Sequence, residues 1–131
     1  MTAATIQKYK KYTVAQLKKK AQVVFNKFIR ERDKDLPCIS CKKAPVQQAG
    51  HFYSAGHYNH LRFNELNTNG QCVRCNHFLS GNLNVYRINL EAKIGTENLK
   101  QLDILANHKS LHKDDRFTLI DIIEKYKQIH R

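Results

Sequence analysis

Hydrophobic residues recur with helical spacing over residues 13–34. At about 100° per residue, Val14, Leu17, Ala21, Val24, Phe25, Phe28 and Ile29 share an arc of about 140°. Lys19, Lys20, Lys27, Arg30 and Lys34 occupy about 100° on the opposite side. Thr13 is the predicted cap of this basic amphipathic helix, and Pro37 ends it. Residues 1–12 are rich in Lys and Tyr and show no period, which predicts a flexible arm. Between 38 and 71 the helical pattern disappears. Pro45, Gly50, Gly56 and Gly70 break the chain, and apolar stretches at Gly50–Tyr53 and Leu61–Phe63 predict two short strands. A helical pattern resumes after Cys72 and runs to about residue 79. Leu83, Tyr86, Leu90 and Ile94 then mark a helix closed by Gly95. Thr96 is the expected cap of the next, with Leu99, Leu102, Ile104 and Leu105 as its core. Thr118 with Asp121 is the expected box of the last.

At 131 residues the chain is long enough for one domain with a modest core. The expected organisation is an arm (1–12), a basic helix (13–34), a cysteine-bearing core (36–82) and C-terminal helices (83–131). Lys and Arg number 23 against 11 Asp and Glu, giving +12. Most of that excess sits in residues 1–37, which carry ten basic and three acidic groups. Such asymmetry suits a polyanion, most commonly nucleic acid, and makes Lys19, Lys20, Lys27 and Arg30 candidate phosphate contacts. A solubilising surface is the plainer alternative. No apolar run approaches the roughly 18 residues of a membrane span, and MTAATIQKYKKYT lacks a signal peptide's apolar core. The expectation is the cytoplasm, where thiols stay reduced.

That compartment bears on the four cysteines, C38-I-S-C41 and C72-V-R-C75. Each pair can grip a metal from one tight turn, and two such knuckles supply a tetrahedral set of thiolates. Two disulfides are the alternative, disfavoured by the close spacing and by the compartment. A redox site needs only one such pair within a βαβ unit. Structural Zn²⁺ is the expectation, and a closed four-thiolate site leaves no position for activating water.

The residues around the knuckles read A49-G-H-F-Y-S-A-G-H57, L61-R-F-N-E-L-N67, and Q71-C-V-R-C-N-H-F-L-S-G-N82. This order resembles the ββα-metal (HNH) nucleases, and more narrowly the NinG (Rap) recombination nucleases of lambdoid phages. It is also similar to the endonuclease VII type, which frames its site with two CxxC knuckles. The resemblance is close over residues 36–95. It implies an α+β, mainly helical fold with a zinc-stapled ββα core, a basic helix before it and helices after it. It also implies a metal-dependent DNA endonuclease acting on branched or recombination-intermediate DNA. Two-fold substrates often call for dimers, and the apolar C-terminal helices offer an interface.

The resemblance assigns roles that chemistry supports. His51 would be the general base, since imidazole titrates near neutral pH. Asn76, opening the helix after the second knuckle, would hold a catalytic Mg²⁺ or Mn²⁺. Asn67 would brace the loop bearing the base. Glu65 is the only carboxylate in residues 38–80, so a carboxylate-rich two-metal site is excluded by counting, and Glu65 is the candidate second ligand. Gly50 departs from the pattern: some relatives carry an Asp or His metal ligand there. Arg62 and Arg74 suit phosphate. His57, His60, His77, His108, His112 and His130 are read as surface groups, and Tyr53, Phe63 and Phe78 as core. The rival function is a non-catalytic zinc module that binds DNA or RNA, which would need neither His51 nor Asn76. A second rival is an assembly protein stabilised by zinc.

Overall fold

A computed structural model describes residues 1–108 and 114–129, so His112 and His130 lie outside the described residues. The fold is mixed α+β and mostly helical. In chain order it has α1 (Ala3–Lys8), α2 (Val14–Arg32), β1 (Gln48–His51), β2 (Thr68–Gln71), α3 (Leu83–Ile94), α4 (Thr96–Ala106) and α5 (Arg116–Ile129). One 3₁₀ turn, Asn59–Leu61, and one wide π-type turn, Arg74–Phe78, complete it. Among the described residues no helix is long and apolar enough to cross a membrane. The chain comprises two compact units. Residues 1–28 associate with 113–131, and residues 29–112 form the other unit.

In the first unit, α2 starts where a reciprocal box closes on Thr13. The Gln16 amide donates to Thr13 Oγ1 (3.1 Å) and the Thr13 amide to Gln16 Oε1 (2.9 Å). Leu17, Ala21 and Phe25 form the buried stripe, while Val14, the first residue of α2, is 39% exposed. The flexible arm expected at residues 1–12 contains a helix instead. Thr2 caps α1 through the Thr5 amide, and buried Tyr9 donates its hydroxyl to Glu124 Oε1 at 2.8 Å. A partner distant in sequence fixes what local periodicity could not. Phe25 meets Tyr126 edge-on at 4.9 Å. The cap of α5 is Asp115, which accepts from the Thr118 amide and hydroxyl, so Thr118 lies inside the helix rather than before it.

The second unit is organised around a two-stranded antiparallel sheet pairing Gln48 with Gln71, Ala49 with Gly70, Gly50 with Asn69 and His51 with Thr68. The strands therefore lie away from the expected Leu61–Phe63, which forms turns, and β1 ends at His51 instead of reaching Tyr53. Neither QAGH nor TNGQ has strand alternation; tertiary contacts hold them. Gly70 packs so closely against Val46 and Asp33 that an added Cβ would lie 2.5 Å from Val46. The Gly70 amide donates to Asp33 Oδ2 at 2.8 Å.

Asp33, 2% exposed, also binds Arg32 and Lys93, each at 2.9 Å. Burial alone would raise its carboxyl, but hydrogen bonds from Arg32, Lys93 and Gly70 outweigh that and hold it at about 2. Ile39, Leu61, Tyr86, Leu90, Leu99, Leu102 and Ala106 form the apolar core. Ile104 and Leu105, expected in that core, are exposed, because α4 buries the Leu99, Leu102 and Ala106 stripe. Thr96 is the first residue of α4 rather than its cap, Gly95 taking the cap position at φ 90°. Phe78, expected in the core, is also exposed, at 72%.

Candidate metal centre and the groups around His51

The cysteine knuckles are built from local turns. The Cys38 amide donates to Ala44 O, the Lys42 amide to Cys38 O, and Lys42 takes a left-handed φ of 59° to close the loop. The Ala44 amide then points at Cys41 Sγ (3.5 Å), and the Cys75 amide at Cys72 Sγ (3.4 Å). Asn82 Nδ2 reaches Cys75 Sγ at 3.6 Å. All four Sγ atoms lie within 4.8 Å of one another, with Cys41 and Cys72 3.9 Å apart. A tetrahedral Zn–S₄ centre with ~2.3 Å bonds needs sulfur separations of about 3.8 Å. The set fits such a metal.

Electrostatics point the same way. The Ala44 amide draws the Cys41 thiol down to about 6, whereas burial pushes Cys75 up to about 12. A divalent metal would compensate the burial that disfavours a bare thiolate at Cys75. Lys43 and Arg74 line an open depression of about 460 Å³ over Cys41, Cys72 and Cys75. Arg74 is therefore exposed beside the cluster.

His51 closes β1 opposite Thr68. Its Nε2 lies 2.8 Å from the Arg62 carbonyl, an acceptor only, so Nε2 carries the proton and Nδ1 the lone pair. Burial lowers the affinity of the ring for a second proton, against the opposing hydrogen bond to Arg62 O. The imidazole is thus oriented and held neutral.

Asn67, fully buried, ties down the loop that follows. Its Oδ1 accepts from the Tyr53 amide (2.8 Å), and its Nδ2 donates to Tyr53 O (3.0 Å) and Leu61 O (3.3 Å). Arg62, a candidate phosphate contact, braces the same loop, its Nε donating to Asn59 Oδ1 at 2.9 Å. His60 similarly reaches Leu105 O at 2.8 Å.

Asn76 lies in the turn after the second knuckle and donates Nδ2 to Gln48 Oε1 at 2.8 Å. Its Oδ1 faces Gly50, where an added Cβ would lie 2.9 Å from it. Sequence reasoning missed a second oxygen there. The same Cβ would stand 1.7 Å from Gln71 Oε1, a fully buried atom with no hydrogen-bond partner. Nothing in the order Q71-C72 signals this role; only the pairing of β2 with β1 reveals it. Glu65 contributes none of the three atoms nearest that point, and its backbone carbonyl accepts from Arg32.

The candidate phosphate contacts are spread along α2. Lys19 and Lys27 are exposed, Arg30 is half-buried, and Lys20 rests its ammonium 4.3 Å from the centre of the Tyr12 ring.

A small two-stranded sheet, a helical turn and two CxxC loops converging on one thiol cluster define an α+β protein stapled by a candidate metal centre. The chain belongs to the family described as Bacteriophage Lambda NinG protein, which it matches over residues 2–131. It is 48% identical over 92 residues to Protein ninG of Escherichia phage lambda, covering 69% of this chain and 44% of that relative. Against Protein ninG of Salmonella phage P22 it is 44% identical over 102 residues, covering 76% and 47%. The chain thus aligns with less than half the length of these relatives. No solved structure matches it.

Proposed function

We propose that this chain is a metal-dependent DNA endonuclease of the HNH type, with His51 as general base and branched or recombination-intermediate DNA as its substrate class. The observation that carries the reading is the hydrogen bond from His51 Nε2 to Arg62 O, which leaves Nδ1 as the proton acceptor. An idle surface histidine needs neither a fixed tautomer nor a loop pinned by a buried Asn67. In the reaction, Nδ1 takes a proton from water as its oxygen attacks phosphorus, forming one P–O bond while the bond to the 3′ oxygen breaks. A hard cation such as Mg²⁺ or Mn²⁺ at Asn76 would neutralise charge on the phosphate and on the leaving oxygen. Neutral imidazole near pH 7 suits this role, because burial disfavours its protonation. The cysteine centre, closed by four thiols, serves the fold and holds the second knuckle in place.

The test is zinc-loaded protein incubated with linear, forked and four-way DNA, with and without Mg²⁺. Cleavage that requires Mg²⁺ and is fastest on branched forms supports the proposal. Binding without cleavage on every form favours the non-catalytic zinc module instead.

A further inference from the structure

Two amide oxygens meet in the space that Gly50 leaves open. Gln71 Oε1 and Asn76 Oδ1 both lie within 2.9 Å of the point where a Cβ of residue 50 would stand. Each is held there by its own nitrogen. Gln71 Nε2 donates to Gly81 O and to Ser40 Oγ, both at 2.8 Å, and Ser40 in turn donates to Gly81 O. The Gly81 carbonyl can only accept, so the orientation of the Gln71 amide is fixed with its oxygen toward Gly50. Asn76 Nδ2 is taken by Gln48. Neither oxygen has a proton to offer the other, and Gln71 Oε1 is fully buried without a partner. Two lone-pair faces set side by side repel, and leaving a buried carbonyl unsatisfied is costly, unless something positive lies between them.

We propose that Gln71 is a ligand of the divalent cation at Asn76, and that Gly50 lacks a side chain so that the Gln71 oxygen can reach it. This rests on the nuclease reading for the cation's role, but the site is defined by these oxygens alone. Both protein oxygens being neutral, the site is weak, with dissociation constants on the order of 1 mM, and leaves most of the coordination shell to water and phosphate.

The experiment is a Mn²⁺ titration of the zinc-loaded full chain followed by electron paramagnetic resonance, alongside zinc content and thermal melting. Wild type is expected to bind one Mn²⁺ beyond its zinc. Gln71→Met should weaken that binding at least tenfold, and Gln71→Glu should strengthen it at least tenfold. Gly50→Ala should weaken it at least tenfold by crowding both the Gln71 and the Asn76 oxygens. If Gln71→Met melts early, the gain expected of Gln71→Glu carries the test of Gln71 itself. Absence of Mn²⁺ binding up to 20-fold above that ~1 mM scale overturns the inference in favour of a trapped water. Loss of binding in Asn76→Ala with none in Gln71→Met or Gly50→Ala also overturns it, while leaving the Asn76 site standing. Binding that depends on Gln71 in a protein that cleaves no DNA upholds the site and overturns the nuclease reading.

Discussion

Asn67 pairs with Tyr53 through its side chain as a neighbouring strand would through its backbone, accepting from the Tyr53 amide and donating to the Tyr53 carbonyl. The side chain thereby extends the sheet's hydrogen bonding one step past the end of β1, just after His51. Asn67→Ala would leave both Tyr53 peptide groups and the Leu61 carbonyl without this partner. A loss of about 2–4 kcal/mol is expected. Urea unfolding checks the magnitude, and faster exchange of the Tyr53 amide locates the effect.

The cysteine cluster is expected to make folding depend on metal. Purified protein should carry one zinc per chain, and Cys72→Ser or a strong chelator should abolish cooperative melting, because structural zinc contributes folding free energy directly. Well under one zinc per chain in fully folded protein would remove the cluster as a metal centre.

On the nuclease reading, His51 is the position that should separate chemistry from binding. His51→Ala should keep the zinc and the affinity for DNA while cleavage falls about 10²–10⁴-fold. Asn76→Ala should lose cleavage as well, with partial recovery at high Mn²⁺ that His51→Ala cannot share. Equal cleavage by wild type and His51→Ala would take the imidazole out of the mechanism.

Asp33 sets an acid limit on stability. Its folded-state value of about 2 lies below the ordinary 3.8, so the unfolded chain takes up this proton first as pH falls. The carboxylate therefore contributes about 2–3 kcal/mol above pH 4, lost progressively as the pH drops toward 2. Asp33→Asn should be less stable than wild type at pH 7, with the difference shrinking between pH 4 and 2. Parallel stability curves across that range would show that the Arg32 and Lys93 contacts contribute no coupling.

The basic face of α2 should govern salt sensitivity. Replacing Lys19, Lys20, Lys27 and Arg30 by Gln is expected to weaken DNA binding and to lower the slope of log affinity against log salt by up to about 0.9 per contact removed. Lys20, already stacked on Tyr12, should contribute least when changed alone. An unchanged slope would make this a solvated face.

What the chain announces in advance is what short spacing encodes. The CxxC pairs place their sulfurs through turns of a few residues, and the Leu17, Ala21, Phe25, Ile29 stripe of α2 is a local period. Elements that depend on distant partners stayed hidden. β1 and β2 are Gly- and amide-rich segments stabilised by Asp33 and Tyr86, the latter donating to Gly50 O at 2.7 Å. Helix α1 rests on Tyr9 finding Glu124. Arg62 read as a phosphate contact because nothing in the local pattern shows that the loop turns Asn59 toward its guanidinium. Gln71 gave no signal, since its oxygen is informative only beside a missing Cβ.

The Tyr9–Glu124 bond spans 115 residues, and that separation imposes an order on folding during synthesis. Residues 29–112 contain the cysteines, both strands and the partners of Asp33, so this unit can collapse on the ribosome before α5 has been made. The unit built from residues 1–28 has to wait. Until Tyr126 emerges, Phe25 lacks the ring that covers it, and a nascent α2 presents an apolar stripe beside its row of lysines. A translational pause before α5 would therefore prolong the interval in which this segment is open to chaperones or to aggregation.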